Sequence, residues 1–385
     1  MMLRNKVLIL INHYIPGYKY GGPIRSIQAI KSKLKNYIDF KIFTTDRDFG
    51  DKVPFESIEA NTWNNEKNND TYYFNGNLLR YFSFIIKESK KYNFIYLNSF
   101  FNPLFSISIV ILKYIGLIRS QIILAPRGEF NLGALDIKSG KKRFFITMVK
   151  SINLYKGVRW HATTQEELMS IKSIFGINVE VYLAEGMSPK EVNRSLAHNS
   201  KVKGKLNLVF LARISKIKNL DFLLRTLLIV DDSKEINLTV YGPIENLEYW
   251  KESQLLINEI HRTKPLIKVL YEGEVDYIYV DSIISRFDFY ILPTLGENFG
   301  QSIADAFSVG LPVITSNKTP WTNLKNDGVG WDLPLNSLIF KDVLEECVNM
   351  SNEQYFEMQN NCLNYAEKFL NNEVLVNKYL KLFKE

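Results

Sequence analysis

Cysteine is almost absent: Cys347 and Cys362 are the only two in 385 residues. Both stand in helix-patterned C-terminal segments without metal-ligand spacing, which argues against a disulfide scaffold or a zinc site and for a reducing cytoplasm. No long hydrophobic run is present either. The longest apolar stretch, Pro103–Ile118, is broken by Lys113 and falls short of the roughly 20 residues that cross a bilayer, so it reads as a buried helix. A secretory leader is not expected, because the short apolar run Val7–Ile11 passes straight into polar and turn residues. The dinucleotide fingerprint G-x-G-x-x-G is missing from the glycine loop near the N-terminus.

The chain is longer than the roughly 250–300 residues at which one core stops growing, which implies two domains. With 46% hydrophobic and 23% charged residues it has the composition of a folded globular protein. Its charge is uneven. Residues 1–200 carry 28 Lys/Arg against 16 Asp/Glu, and residues 201–385 carry 20 against 25. The basic half suits a phospholipid surface, a phosphorylated acceptor or nucleic acid, with a solvated basic surface as the plain alternative. No nucleic-acid module accompanies it, and nucleic acid is not expected as a partner.

Short β-rich runs alternate with helix-length segments in both halves. Val7–Ile11, Phe40–Thr44, Phe94–Leu97 and Ile122–Ala125 read as strands, with helices over Ile24–Leu34 and Leu104–Ile115. The rhythm restarts after the polar stretch Arg194–Lys205, with Leu206–Leu211, Leu238–Tyr241, Ile267–Tyr271, Phe287–Leu292 and Val313–Thr315 as strands. Leu220–Val230, Leu247–Glu259 and Ser302–Phe307 read as the helices between them. Such alternation predicts parallel sheets, an α/β fold in two Rossmann-like domains (1–198 and 199–385) facing across a cleft, and a helical C-terminus. The last helices are expected to return to the first domain. Asn61–Asn77 is Asn-rich and reads as a surface excursion.

The strongest chemical signal is FDFYILPTLGENFGQSIADAFSVGLPVITSN. A buried strand ends at Pro293, a loop carries Glu297, Asn298, Phe299 and Gly300, and a helix opens near Gln301. Its N-terminal N–H groups suit an anion, and Gly300 lets a ligand approach the main chain. Asp305 lies about one turn inside that helix. Two carboxylates beside an anion site suit the hydroxyls of a sugar nucleotide; alternatively Glu297 caps the helix and Asp305 is a solvated charge. Arg213 and Lys218 follow the strand Leu206–Leu211, and together they can clamp a diphosphate.

These residues resemble the catalytic domain of glycosyltransferase family 4, a group of retaining GT-B enzymes. Glu297 through Asp305 approximates the family's Glu-x7-Glu motif with Asp in place of the second Glu. Arg213 and Lys218 match its phosphate loop, Gly273–Val275 its base-contacting turn ending in Val275, and Tyr241–Pro243, with Gly242, its Tyr-Gly-Pro. Gly21 and Gly22 resemble the family's double-glycine loop. The segment from Pro126 through Lys142 resembles members that assemble bacterial surface polysaccharides. The Pro320–Trp321 pair is also found in the family and reads as packing near the donor pocket.

The resemblance implies a retaining transfer of sugar from a UDP- or GDP-linked donor, with no cofactor and no metal. Glu297, Arg213 and Lys218 would be catalytic. Gly21, Gly22, Gly242, Val275, Asn298, Phe299, Gly300, Gln301 and Asp305 would bind donor, and His13, Arg127, Glu129 and Lys138 would stand on the acceptor side. A polyprenyl-diphosphate-linked saccharide is the expected acceptor. The basic run with Phe144 and Phe145 would hold that lipid or the inner face of the cytoplasmic membrane. The competing readings are a sugar-nucleotide epimerase or hydrolase, a non-catalytic binding module, and a metal-dependent transferase using the D-x-D at Asp46–Asp48.

Overall fold

The structure is a computed structural model. It describes residues 4–64, 70–130, 139–196, 200–370 and 372–384, and Lys138 lies outside them. The chain divides into two compact units, Met1–Pro189 with Glu373–Glu385, and Lys190–Asn372. The division therefore falls ahead of 198/199. Asn193 donates its N–H to the Ser308 carbonyl at 2.8 Å and Arg194 pairs with Glu367 at 2.9 Å, which attaches this polar stretch to the second unit. Of the C-terminal helices, Ser337–Asn349 and Asn352–Leu370 stay with the second unit and Glu373–Leu382 belongs to the first.

The first unit contains β1 (Asn5–Leu10), β2 (Ile38–Thr45), β3 (Trp63–Asn64), β4 (Thr71–Phe74), β5 (Phe94–Leu97), β6 (Gln121–Leu124), β7 (Arg159–Ala162) and β8 (Val181–Leu183). Among the described residues they form one sheet in the order β3-β4-β2-β1-β5-β6-β7-β8. Only the β3–β4 pair is antiparallel. A parallel sheet is covered on both faces, and the sequence alternates accordingly. Leu8, Leu10, Ile95, Leu97, Ile122 and Leu124 enter one core, while Val7, Ile9, Phe94, Tyr96, Ile123 and Ala125 enter the other. The first face is covered by helices Leu78–Ser89, Ser108–Tyr114, Ser139–Ser151 and Gln165–Phe175; the second by Gly22–Leu34 and Glu373–Leu382.

The first core is unusually aromatic. Phe100 lies 4.8 Å from Phe130, and Trp160 lies 4.5 Å from Phe175, ring centre to ring centre. Trp160→Ala should cost about 3–5 kcal/mol, read as a lower urea midpoint for this unit. A midpoint shift equivalent to less than ~1 kcal/mol would contradict this packing.

Two sequence expectations need correction. Asn61–Asn77 contains a fully buried strand, β4, whose Tyr72 stacks on Phe43 at 5.5 Å and whose Phe74 meets Tyr81 at 5.5 Å. The flanking asparagines conceal a run of only four strand residues. The Pro103–Ile118 stretch is helical only from Pro103 to Tyr114 and is buried on one side only, since Ile111 and Tyr114, with Ile115 and Leu117 in the turn beyond, are exposed.

The second unit contains β9 (Lys205–Leu211), β10 (Glu235–Tyr241), β11 (Ile267–Gly273), β12 (Phe289–Leu292), β13 (Val313–Ser316) and β14 (Gly330–Leu333). All its pairs are parallel, in the order β11-β10-β9-β12-β13-β14. The chain winds outward from β9 in one direction, then restarts beside it at β12 and winds in the other. Ligand crevices in such sheets open at the carboxyl ends of the two strands where the order reverses. In the second unit those strands are β9 and β12, and in the first unit they are β1 and β5.

Candidate functional site

In the second unit, the loops leaving β9 and β12 are bonded to each other. Ile217 O accepts from Leu295 N and from Thr294 Oγ1, each at 2.8 Å. Asn219, left-handed at φ 60°, donates its side-chain amide to Pro293 O at 2.9 Å before helix Leu220–Leu228 starts. This stitching brings Lys218 into a direct ion pair with Glu297, 79 residues away in sequence. Their side chains are only 15% and 11% exposed. Arg213 is placed differently: it is 47% exposed and pairs with Glu245 at 2.8 Å. The two cations of the expected clamp are thus held by separate carboxylates, one sheltered and one open.

Beyond Glu297, Gly300 takes φ 79° and starts helix Gln301–Ser308, which no side chain caps. A Cβ on Gly300 would meet Ile303 Cδ1 at 3.0 Å and Trp321 Nε1 at 3.3 Å, tight contacts that add to the preference for glycine set by its positive φ. Trp321 donates its indole N–H to Phe299 O at 2.5 Å, and the Phe299 ring stacks on Phe369 at 5.5 Å. Pro320–Trp321 therefore braces the loop from behind. Gln301 and Asp305 are buried, Asp305 completely, whereas Glu297 keeps part of its surface. The two carboxylates do not stand side by side in the open, because nearly the whole of this short helix is packed into the core.

Gly242 has a packing reason of its own. With φ 138°, its Cβ would fall 1.9 Å from Ala212 O, while its N–H donates to Gly273 O at 2.7 Å. Tyr271 donates its hydroxyl to Gly242 O at 2.9 Å. The Tyr-Gly-Pro turn, the Gly273–Val275 turn and the Arg213 loop are therefore locked together, with Val275 packed against the core.

In the first unit, His13 follows β1. Its Nδ1 donates to Arg47 O at 3.0 Å, its Nε2 accepts from Asn12 Nδ2 at 3.1 Å, and Tyr20 and Phe49 meet its ring at 5.2 and 5.7 Å. Gly21 and Gly22 open helix Gly22–Leu34, again without a side-chain cap, and the space around both is open. The D-x-D pair does structural work here. Asp46 pairs with Arg47 and accepts from Asn75 at 2.7 Å. Asp48 is buried and accepts the N–H groups of Tyr18, Lys19 and Phe49 at 2.8, 3.1 and 2.7 Å. It thereby fixes the turn that leads into Gly21 and Gly22, a role the motif's resemblance to a metal site had obscured. No cluster of three or more potential metal ligands occurs among the described residues.

Arg127 and Glu129 follow β6. Arg127 has φ 55°, donates through Nε to Asn98 Oδ1 and through Nη2 to the Tyr96 hydroxyl, both at 2.9 Å. Glu129 accepts from Ser99 Oγ, Phe100 N and Phe101 N at 2.7, 2.5 and 3.2 Å. Burial raises its pKa, and these bonds together with Lys142 oppose the rise. Its carboxylate is thus spent on shaping the loop after β5. Glu167 does the same for two further loops, accepting from Gly128 N at 2.6 Å and from Thr163 N and Oγ1 at 2.7 and 2.8 Å. The sequence signal for Glu167 was available as a T-x-x-E capping box at Thr164–Glu167. Arg127 and Glu129 act within a framework of carboxyl-end loops after β5, β6 and β7.

That framework includes a neutral histidine. His161 Nε2 donates to Ala184 O at 2.9 Å, so its Nδ1 accepts from the Tyr96 hydroxyl at 2.7 Å, which in turn accepts from Arg127. Burial first, then the Arg127 charge, push its pKa down to about 3 from 6.5, against the favourable bond to Ala184. Between those values the unfolded chain binds a proton that the folded chain refuses. This contribution to stability is therefore complete above pH 6.5 and declines as pH falls toward 3. Urea midpoints measured across that range should fall less steeply for His161→Gln than for wild type. Equal slopes would contradict the neutral assignment.

Comparisons with known proteins bear on these sites. Residues 193–366 match the family model for glycosyl transferases group 1. Across 98% of this chain and 99% of the other, the structure resembles Anabaena Alr3699/HepE in complex with UDP and glucose, with TM-score 0.67 and 14% identity. The fold is the GT-B fold of glycosyltransferases. A second GT-B structure, sucrose-phosphate synthase from Thermosynechococcus elongatus, gives TM-score 0.68 and 13% identity over 99% and 98% of the two chains. In sequence, the chain is 24% identical over 318 residues to an uncharacterized 41.2 kDa protein in the cps region of Klebsiella pneumoniae, covering 79% of this chain and 82% of that one. The segment that matches the glycosyl transferases group 1 model includes Arg213, Lys218 and Glu297 together with helix Gln301–Ser308.

Proposed function

We propose that this chain is a retaining, metal-independent glycosyltransferase whose second unit holds a UDP- or GDP-linked sugar at the carboxyl ends of β9 and β12. The observation that carries the reading is the sheltered Lys218–Glu297 pair beside the uncapped start of helix Gln301–Ser308. The UDP complex of the structural relative from Anabaena supports it.

In the proposed reaction the bond from the anomeric carbon to the diphosphate breaks, and the acceptor hydroxyl forms a new bond from the same face. Its proton passes to the departing phosphate. Lys218, Arg213 and the helix N–H groups stabilise the leaving diphosphate, the work a divalent ion would otherwise do. Glu297 orients Lys218 and the donor sugar hydroxyls. Asn298, Phe299 and Gly300 shape the phosphate approach, Val275 contacts the base, and Asp305 serves the ribose. His13 and Arg127 face the acceptor, and Glu129 shapes the loop after β5.

The acceptor in this proposal is a polyprenyl-diphosphate-linked saccharide of bacterial surface polysaccharide synthesis, met at the inner face of the cytoplasmic membrane. The relative in a cps region accords with that setting. The test is incubation of the protein in EDTA with UDP- and GDP-sugars and lipid-linked saccharides extracted from bacterial membranes. Acceptor-dependent release of nucleoside diphosphate, with the donor's anomeric configuration kept in the product by NMR, is expected. Release without acceptor, inversion, or a strict need for a divalent ion would overturn the corresponding part.

A further inference from the structure

Two neighbouring helices of the first unit leave apolar side chains in solvent that no segment of the described chain covers. Helix Ser139–Ser151 turns Val149 into the core and Phe145 toward Phe100, at 5.8 Å between rings. Its flank, about 100° round the helix from these, exposes Phe144 at 73%, Met148 at 43% and, just past its end, Ile152 at 47%. The spacing of four residues sets these three in one stripe. Ile111, Tyr114, Ile115 and Leu117, also exposed, belong to the preceding crossover between β5 and β6. Successive right-handed crossovers place both helices on the same face of the sheet, and both bury residues in the same core.

Within the two described stretches that carry this apolar surface the charge has one sign. No acidic residue occurs from Ser89 to Gly128 or from Ser139 to Gln165. The second of these stretches carries Lys141, Lys142, Arg143, Lys150, Lys156 and Arg159. Lys141, Arg143, Lys150 and Lys156 are exposed, while Lys142 turns over the Phe101 ring at 5.2 Å. Among the described residues, Glu166 on the next helix is the nearest exposed acidic residue in sequence, since Glu129 and Glu167 are engaged with backbone; Asp136 lies outside the described residues. An apolar stripe bordered by cations fits an anionic bilayer: the side chains enter the acyl boundary and the cations meet lipid phosphates. It does not fit a polar soluble partner.

We propose that the face formed by Phe144, Met148 and Ile152 with Ile111, Tyr114, Ile115 and Leu117 docks the first unit onto an anionic phospholipid surface. The proposal deepens the membrane setting of the proposed function and is independent of the donor site. It replaces the expected Phe144–Phe145 pair, because Phe145 points inward.

The experiment is flotation of the full chain with phosphatidylcholine vesicles, with and without phosphatidylglycerol, at low and high salt. Wild type should float with the anionic vesicles, lose most binding at high salt, and remain behind with phosphatidylcholine alone. The triple variant Phe144→Ser, Met148→Ser, Ile152→Ser and the charge variant Lys141→Glu, Lys150→Glu should each bind at least about tenfold more weakly. Both should bind nucleoside diphosphate as wild type does, which shows that they are folded. No flotation of wild type, or flotation indifferent to both variants, would overturn the proposal. So would concentration-dependent dimerisation removed by the triple variant without any vesicle binding, which would assign the face to a second copy. Loss of nucleotide binding by wild type would instead count against the donor site alone.

Discussion

Lys218→Ala is expected to lower turnover by roughly 10²–10³-fold, the usual consequence of removing one preorganised group from a developing negative charge. Arg213→Ala should cost less. The difference follows from exposure: Lys218 is sheltered against Glu297, whereas Arg213 is nearly half in solvent beside Glu245. A unit charge about 4 Å away is worth roughly 4 kcal/mol at an effective dielectric of 20, but about 1 kcal/mol in bulk water. The same substitution leaves Glu297 without the cation it faces, so part of the loss is new repulsion of the diphosphate. Adding Glu297→Gln to Lys218→Ala should recover some nucleotide binding while leaving turnover low. Equal losses from Lys218→Ala and Arg213→Ala would contradict the ranking.

Gly242→Ala should destabilise the second unit by at least about 3 kcal/mol, since left-handed backbone strain alone costs roughly 1–3 kcal/mol. To that is added a Cβ placed 1.9 Å from Ala212 O in the seam between β9 and β10. Gly330→Ala presents the same problem, with φ 142° and a Cβ 1.9 Å from Val313 O, and lies outside the donor loops. The two variants should therefore shift the urea midpoint of this unit alike. Gly21→Ala meets open space and should cost about 1 kcal/mol, for its positive φ only. A Gly242→Ala protein as stable as wild type but deficient in nucleotide binding would return Gly242 to a purely ligand-contacting role.

The sequence exposed most of what depends on local pattern. Phe289–Leu292 could be seen because a fully apolar run ends at Pro293, and the start of helix Gln301–Ser308 because Gly300 precedes it. Features that depend on contacts between distant segments were hidden. Nothing in the spacing of Lys218 and Glu297 tells that they pair, since the bonds from Ile217 O to Thr294 and Leu295 arise only when β9 and β12 lie side by side. Asp48 offered in sequence only the D-x-D of a competing, metal-dependent reading, because its partners, the N–H groups of residues 18, 19 and 49, leave no side-chain signature. Strands β7 and β14 carry Arg159, His161 and Asp332 in place of the apolar runs that marked the equally short β5 and β12, and β8 has only three residues. Asp305 looked like a surface ligand for a similar reason: an eight-residue helix does not reveal from its sequence that nearly all of it is buried.

The central claim is that the loops after β9 and β12 form a metal-independent site for a nucleoside diphosphate. Calorimetric titration of wild type, Arg213→Ala and Lys218→Ala with UDP and with GDP in EDTA tests it most directly. One nucleotide should bind wild type, and both substitutions should weaken it by at least tenfold, about 1.4 kcal/mol, with Lys218→Ala the weaker binder. No binding in EDTA, or binding unchanged by both substitutions, would contradict the account.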